Sequence, residues 1–250
     1  MLTFLRKIRK SLISSGDSRK YILYAIGEIL LVMIGILLAM QVNNWNESRK
    51  TGKEDLIFLE NLKNELAIDT AVLKTRRSYY LGVNDALKES LEIFEKQSSI
   101  SPDDQRVIAF SLTDLEVLTP AHKNITRNDM KLVQGALDRI DSELNYEYLS
   151  YLELIQSNNI IITKLGETLQ LLSLNYVLPI IDIKAITYSS TKERNVEFDF
   201  TELRSNREIK NSFAKSIAYR QVSIRYMSDQ IEMAENILIL VDQIRNNEGL

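Results

Sequence analysis

Residues 21–46 read YILYAIGEILLVMIGILLAMQVNNWN, and within residues 21–42 the sole charged residue is Glu28. As a helix rising about 1.5 Å per residue, that run reaches roughly 33 Å, enough for a hydrocarbon layer of roughly 30 Å. The core helix of a soluble protein rarely stays apolar on every side for so long. A cleaved signal peptide carries a shorter apolar region, roughly 7–15 residues, with small residues before the cut. Here Ala39 is the one neighbour suited to cleavage. The length therefore predicts an uncleaved, single-pass signal-anchor over residues 21–42.

The flanks orient it. Arg6, Lys7, Arg9, Lys10, Arg19 and Lys20 precede the run, whereas a window of similar length after it holds Arg49, Lys50 and Lys53. Cations stay on the cytoplasmic side, so residues 1–20 are expected there and residues 43–250 on the extracytoplasmic side. Trp45 stands where an interfacial aromatic anchor belongs, with Tyr21 and Tyr24 at the opposite edge. Phe4, Leu5, Ile8 and Leu12 share one helical face in the first segment. Arg6, Lys7, Arg9 and Lys10 fill the other, a pattern suited to an anionic inner leaflet. The plainer alternative is a basic leader to the span with no helix of its own.

The strings FLRKIRKSL (residues 4–12) and KYILYAIGEILLVMIGILLAMQVNNWNE (residues 20–47) resemble the opening of a family of uncharacterised single-pass membrane proteins of Bacteroidota, known as a domain of unknown function. The likeness centres on Ala25-Ile26-Gly27-Glu28 and on Gln41 through Asn46. Further on, residues 126–135 are similar to a Thr-initiated short helix ending near a glycine, although Val133-Gln134-Gly135 replaces the two serines and glycine more usual there. The resemblance implies a mostly helical extracytoplasmic domain, and the location expected is a bacterial inner membrane with residues 43–250 periplasmic. It supplies no activity.

Composition narrows the function classes. No cysteine is present, so neither a disulfide framework nor a thiol nucleophile is available. The chain has 31 basic and 34 acidic residues. Because the basic excess lies at the N-terminus, the remainder is mildly acidic, which argues against nucleic acid as a partner. Residues 43–250 are numerous enough for one domain with a sizeable core.

That domain reads as all-α, a bundle of three long helices with coiled-coil-like seams. Leu59, Leu66, Leu73, Tyr80, Leu87 and Phe94 recur every seven residues, flanked by Leu56, Leu62, Val83 and Leu91. Asp69 and Arg76 interrupt the second seam position, as a register device or a partly wet seam does. A second stripe follows Asp141 (Leu144, Tyr148, Tyr151, Ile155, Ile162, Leu165, Leu169, Leu172, Tyr176). A third follows Thr201 (Phe213, Ile217, Ile224, Met227, Ile231, Leu238, Val241). Ser101-Pro102-Asp103-Asp104 is a helix start, with proline at the first helical position and acids in the first turn. Thr126-Arg127-Asn128-Asp129 caps a further short helix with Gly135 as its terminator, while Pro120 and Pro179 end the patterns before them. Between Pro179 and Thr201 apolar residues alternate, Ile181 and Ile183 then Val196, Phe198 and Phe200, predicting a small hairpin around residues 189–194. Residues 43–55 hold no proline, so the first long helix can run out of the span unbroken.

The search for chemistry returns little. The single histidine, His122, has no second His, Cys or acidic group at a metal-binding spacing, and reads as a turn residue. No glycine pattern forms a phosphate loop, and no nucleophile–base pair can be assembled. No catalytic, cofactor-binding or metal residue is therefore assigned, no cofactor is implied, and an enzyme is the least supported class. Tyr146, Tyr148, Tyr151 and Tyr176 suit either a ligand cleft or an ordinary division between core and surface.

Glu28 lies roughly 10 Å into the span at helical rise. A carboxylate there costs about 2–3 kcal/mol on insertion scales unless it is protonated, paired or reaching the interface. It either handles a proton or a partner helix, or snorkels toward Arg19, Lys20 and the headgroups. Gly27, Gly35 and Ala39 lie at four-residue multiples, a pattern that lets helices approach closely. Three roles follow: an anchored scaffold that docks a protein partner or a second copy of itself, an extracytoplasmic sensor or ligand-binding module signalling through a partner, or an accessory subunit of an energised membrane complex using Glu28. The third rests on layout alone.

Overall fold

A computed structural model describes residues 18–96, 99–115, 127–179, 181–182 and 197–247. The described chain is all-α apart from one pair of two-residue strands. Helix α1 is Ser18–Phe94, α2 Pro102–Asp114, α3 Arg127–Ile140, α4 Ser142–Leu172, α5 Phe200–Ser205 and α6 Arg207–Asn247. With no proline in its length, α1 passes unbroken through residues 43–55. His122, Pro120, the Thr126 cap, the turn at residues 189–194 and the basic segment with Arg6, Lys7, Arg9 and Lys10 lie outside the described residues.

The chain divides into two compact units, Met1–Ile57 and Phe58–Leu250. The expected border between residues 42 and 43 rests on membrane thickness, whereas this division marks where side chains begin to pack. In the first unit, the described helical side chains from Ile22 to Val42 are exposed, except for the partly shielded Ala25 and Glu28.

The second unit packs most of the expected stripes into three clusters, with Tyr176 left exposed. Leu59, Leu62 and Leu66 of α1 pack with Leu144, Tyr148 and Ile155 of α4 and with Ile237 and Val241 of α6. Next come Leu73 and Tyr80 with Ile162, Leu169, Met227 and Ile231. The third gathers Val83, Leu87 and Phe94 around Ile108 and Leu112 of α2, Leu203 of α5 and Phe213 of α6. All six seven-residue positions of α1 from Leu59 to Phe94 are buried. Ion pairs line the edges, Lys74 to Glu235 at 2.7 Å and Arg245 to Glu60 at 2.7 Å. At such exposure each stabilises by about 1 kcal/mol or less.

Local chemistry sets the helix ends. Ser101 and Asp104 form a reciprocal capping box at the start of α2. Asp141, extended at φ −160°, breaks α3 from α4 and caps the latter, its Oδ1 accepting from the Leu144 amide at 2.8 Å. Past Leu172 the coil widens into a π-turn, Ser173–Val177, closed by the Leu178 amide on the Ser173 carbonyl at 2.9 Å, just before Pro179. Strands Ile181–Asp182 (β1) and Glu197–Phe198 (β2) pair antiparallel, Ile181 opposite Phe198 and Asp182 opposite Glu197.

Two expected helix ends fall elsewhere. Gly135 does not terminate α3, which continues to Ile140. A mid-helix glycine costs only about 1 kcal/mol relative to alanine, and the neighbouring turns override it. Nor does Thr201 open the last long helix. Asp199 caps the short α5, with Oδ1 accepting from Thr201 N at 2.8 Å. Asn206 then breaks the chain and starts α6, its Oδ1 accepting from Glu208 N at 3.0 Å and Ile209 N at 3.2 Å.

Candidate functional site

In the first unit the side chains singled out by sequence lie on one helix. Gly27, Gly35 and Ala39 are exposed, and a Cβ added at either glycine would meet nothing within 4 Å. Their spacing of eight and then four residues places them on one ridge. Glu28 sits beside that ridge, partly shielded and not without a partner. Trp45 is exposed, with the Arg49 guanidinium 5.7 Å from its ring centre. That pairing suits a headgroup layer, where an amphipathic ring and a cation are both at home. The side chains of Tyr21 and Tyr24 lie outside those described.

In the second unit the four tyrosines divide. Tyr148 and Tyr151 are buried and tilted against each other, ring centres 6.3 Å apart, while Tyr146 and Tyr176 are exposed. The four therefore do not line a common cleft. The buried pair faces Glu65 and Asp69, one turn apart on α1. Burial first, and then the Asp69 charge, raise Glu65 above the usual carboxylate range. Burial first, and then the two carboxylates, push both phenols above their ordinary value of 10. Neutral phenols beside carboxylates can donate hydrogen bonds but supply no base near neutral pH. Asp69, read as a register residue in the seam, has this local role.

The most heavily constrained polar group is one that sequence reasoning passed over. Arg220 of α6 is completely buried, with 0 % of its surface exposed. It occupies the seven-residue series Phe213, Arg220, Met227, Ala234 and Val241, whose other members are all buried apolar residues. Its Nη2 donates to the backbone oxygens of Asp114 and, at 3.0 Å, of Leu115, the last turn of α2. Nη1 donates to Ser216 Oγ, whose own hydroxyl donates to the Leu115 oxygen at 3.0 Å. The Tyr80 ring lies 5.9 Å below the guanidinium. The Asp114 carboxylate accepts from the Tyr79 hydroxyl and, at 3.1 Å, from Thr113 Oγ1.

The electrostatics are consistent. Terminal carbonyls of a helix carry partial negative charge and attract cations. Burial lowers the Arg220 pKa, and Tyr80, Tyr79 and Asp114 oppose that shift by favouring the charged form. A buried cation costs several kcal/mol unless its donors are satisfied, so the α2 terminus and Arg220 depend on each other. The available signal was positional, a cation on the core period of α6. It was missed because two of its acceptors are backbone atoms more than a hundred residues away.

Among the described residues, no group of three or more His, Asp or Glu is placed to hold a metal ion. Among the described residues, one helix, near the N-terminus, is long and apolar enough to cross a membrane. Residues 28–100 match a family of unknown function, DUF6090, from Glu28 through the end of α1 to Ile100. No curated protein and no solved structure matches the chain.

Proposed function

We propose that this chain is a membrane-anchored helical scaffold, acting by binding a protein partner or a second copy of itself rather than by catalysis. Residues 21–42 span the bilayer, residues 1–20 lie on the cytoplasmic side against anionic lipid, and residues 43–250 form the extracytoplasmic, periplasmic domain. In that domain α1, α4 and α6 make a three-helix bundle with coiled-coil-like seams, supported by the shared clusters of Leu59, Tyr148 and Val241 and of Leu73, Ile162 and Met227.

The observation that carries this reading is the exposed apolar surface between Ile22 and Val42. Soluble monomers rarely expose contiguous apolar patches above a few hundred Å². A helix apolar on every side has its stable environment in lipid, where its backbone groups are already satisfied internally. The bacterial inner membrane and the sidedness rest on the cation bias and on the family resemblance. The test is fractionation followed by crosslinking in native membranes. The chain should resist alkaline extraction and crosslink to a defined protein or to itself at substantial yield. Recovery in the soluble fraction, or a membrane-bound chain with no reproducible crosslink, would contradict it.

A further inference from the structure

Helix α2 is fastened at its two ends in different ways. At its start, an exposed capping box and the Lys96–Asp104 ion pair at 2.8 Å hold it, both of which water can replace. At its end, the backbone oxygens of Asp114 and Leu115 are the acceptors of a fully buried guanidinium. Between the ends, Ser90 Oγ donates to Ser111 Oγ at 2.9 Å, and Ile108 and Leu112 fill the core.

We propose that Arg220 is a latch that makes α2 a strap with two positions, seated or released as a unit together with the stretch of α6 around the latch. A strap held by apolar contact alone could fray residue by residue from either end. Here, lifting the last turn of α2 removes both backbone acceptors of the Arg220 Nη2 while the guanidinium stays inside with its Nη1 on Ser216. Stranding one partner of a buried polar pair is the costliest way to break it. Intermediate positions are therefore disfavoured. The strap leaves only when water reaches the guanidinium, and that requires α6 to open locally around Arg220. Release would uncover Val83, Leu87 and Phe213, an apolar surface absent from the seated form. This inference concerns residues 58–250 and does not depend on the proposed anchoring or partner.

The test is hydrogen exchange by mass spectrometry on the full-length protein in lipid nanodiscs. In the parent, peptides covering residues 102–115 and 212–223 should be protected and exchange together, ahead of those covering residues 144–155 and 234–241. Arg220→Met fills the space without donors. It should accelerate exchange over residues 102–115 at least tenfold and leave residues 144–155 and 234–241 unchanged, with Arg220→Lys between the two. Tyr79→Phe, which removes a bond to Asp114 from a partly exposed site, should shift the same peptides in the same order, and serves if Arg220→Met does not fold. Unchanged exchange over residues 102–115 in the folded variants overturns the latch. So does equal acceleration of every segment, or gradual fraying of α2 in the parent independent of residues 212–223.

Discussion

The Arg220 guanidinium donates to the Leu115 backbone oxygen at 3.0 Å, joining the middle of the last long helix to the end of a short helix 105 positions earlier in the chain. That bond shows how the second unit combines local and distant order. Seven-residue apolar series line the long helices, and a polar residue on the same period binds the last carbonyls of a shorter element.

The core series should dominate stability. Leu73 and Leu87 are fully buried, so Leu73→Ala or Leu87→Ala should cost about 2–5 kcal/mol, depending on how far neighbours collapse into the space. Ile68, on the same helix but exposed, should lose no more than about 0.5 kcal/mol as Ile68→Ala. Chemical denaturation of the detergent-solubilised protein separates the two. Equal losses would mean that the assigned seam is not the core.

Helix caps give a sharper comparison. Asp141→Ala and Asn206→Ala each remove a side-chain acceptor from a helix start and should cost about 1 kcal/mol. Thr201→Ala should change little, because Asp199 and Asn206 do the capping. Thermal melts of the three variants decide it, and a large loss at Thr201 alone would reverse the assignment.

Glu65 should make stability fall with rising pH over a limited window. Its carboxyl is held above the usual 4.5 by burial and by Asp69, so the folded chain binds that proton more tightly than the unfolded one. Its contribution is fully favourable below about 4.5 and is lost as pH rises through the folded value. Glu65→Gln should therefore raise the melting temperature near pH 7 and lose that advantage toward pH 4. The contributions of Glu95 and Asp104 run oppositely. Their carboxylates are held low first by hydrogen bonds from Lys210 and Lys96 respectively, and they lose stability as pH falls. An advantage for Glu65→Gln that grows toward acid would contradict the sign.

Glu28 separates anchoring from a further role. Glu28→Leu and Glu28→Gln should both accumulate and insert like the parent, since an apolar or neutral residue is cheaper in a bilayer. If snorkelling is the whole account, crosslinking and growth also stay unchanged. Normal abundance with loss of a crosslinked protein, worse for leucine than glutamine, would assign Glu28 to partner binding or proton handling.

Much of the fold was legible because the forces that build it are periodic. Leu59 through Phe94 keep one face of α1 apolar, and the caps at Ser101 and Asp141 are short-range hydrogen bonds between residues three apart. Gly135 and Thr201 misled for a shared reason. Each carries a propensity near a helix end, and neighbouring residues with stronger bonds or packing set the real boundary. Arg220 escaped pattern reading because a cation is ordinarily assigned to solvent, even where it falls on a core period. Its burial follows only once the α2 terminus and Tyr80 are known to surround it.

The sidedness of the proposed anchor is tested most directly by paired reporters fused after Leu250, one active only outside the cytoplasm and one only within it. With residues 1–20 cytoplasmic and residues 21–42 spanning, the outside reporter should be active, the cytoplasmic one silent, and both fusions should stay in the membrane fraction. An active cytoplasmic reporter with a silent outside one would contradict the topology and the extracytoplasmic scaffold built upon it.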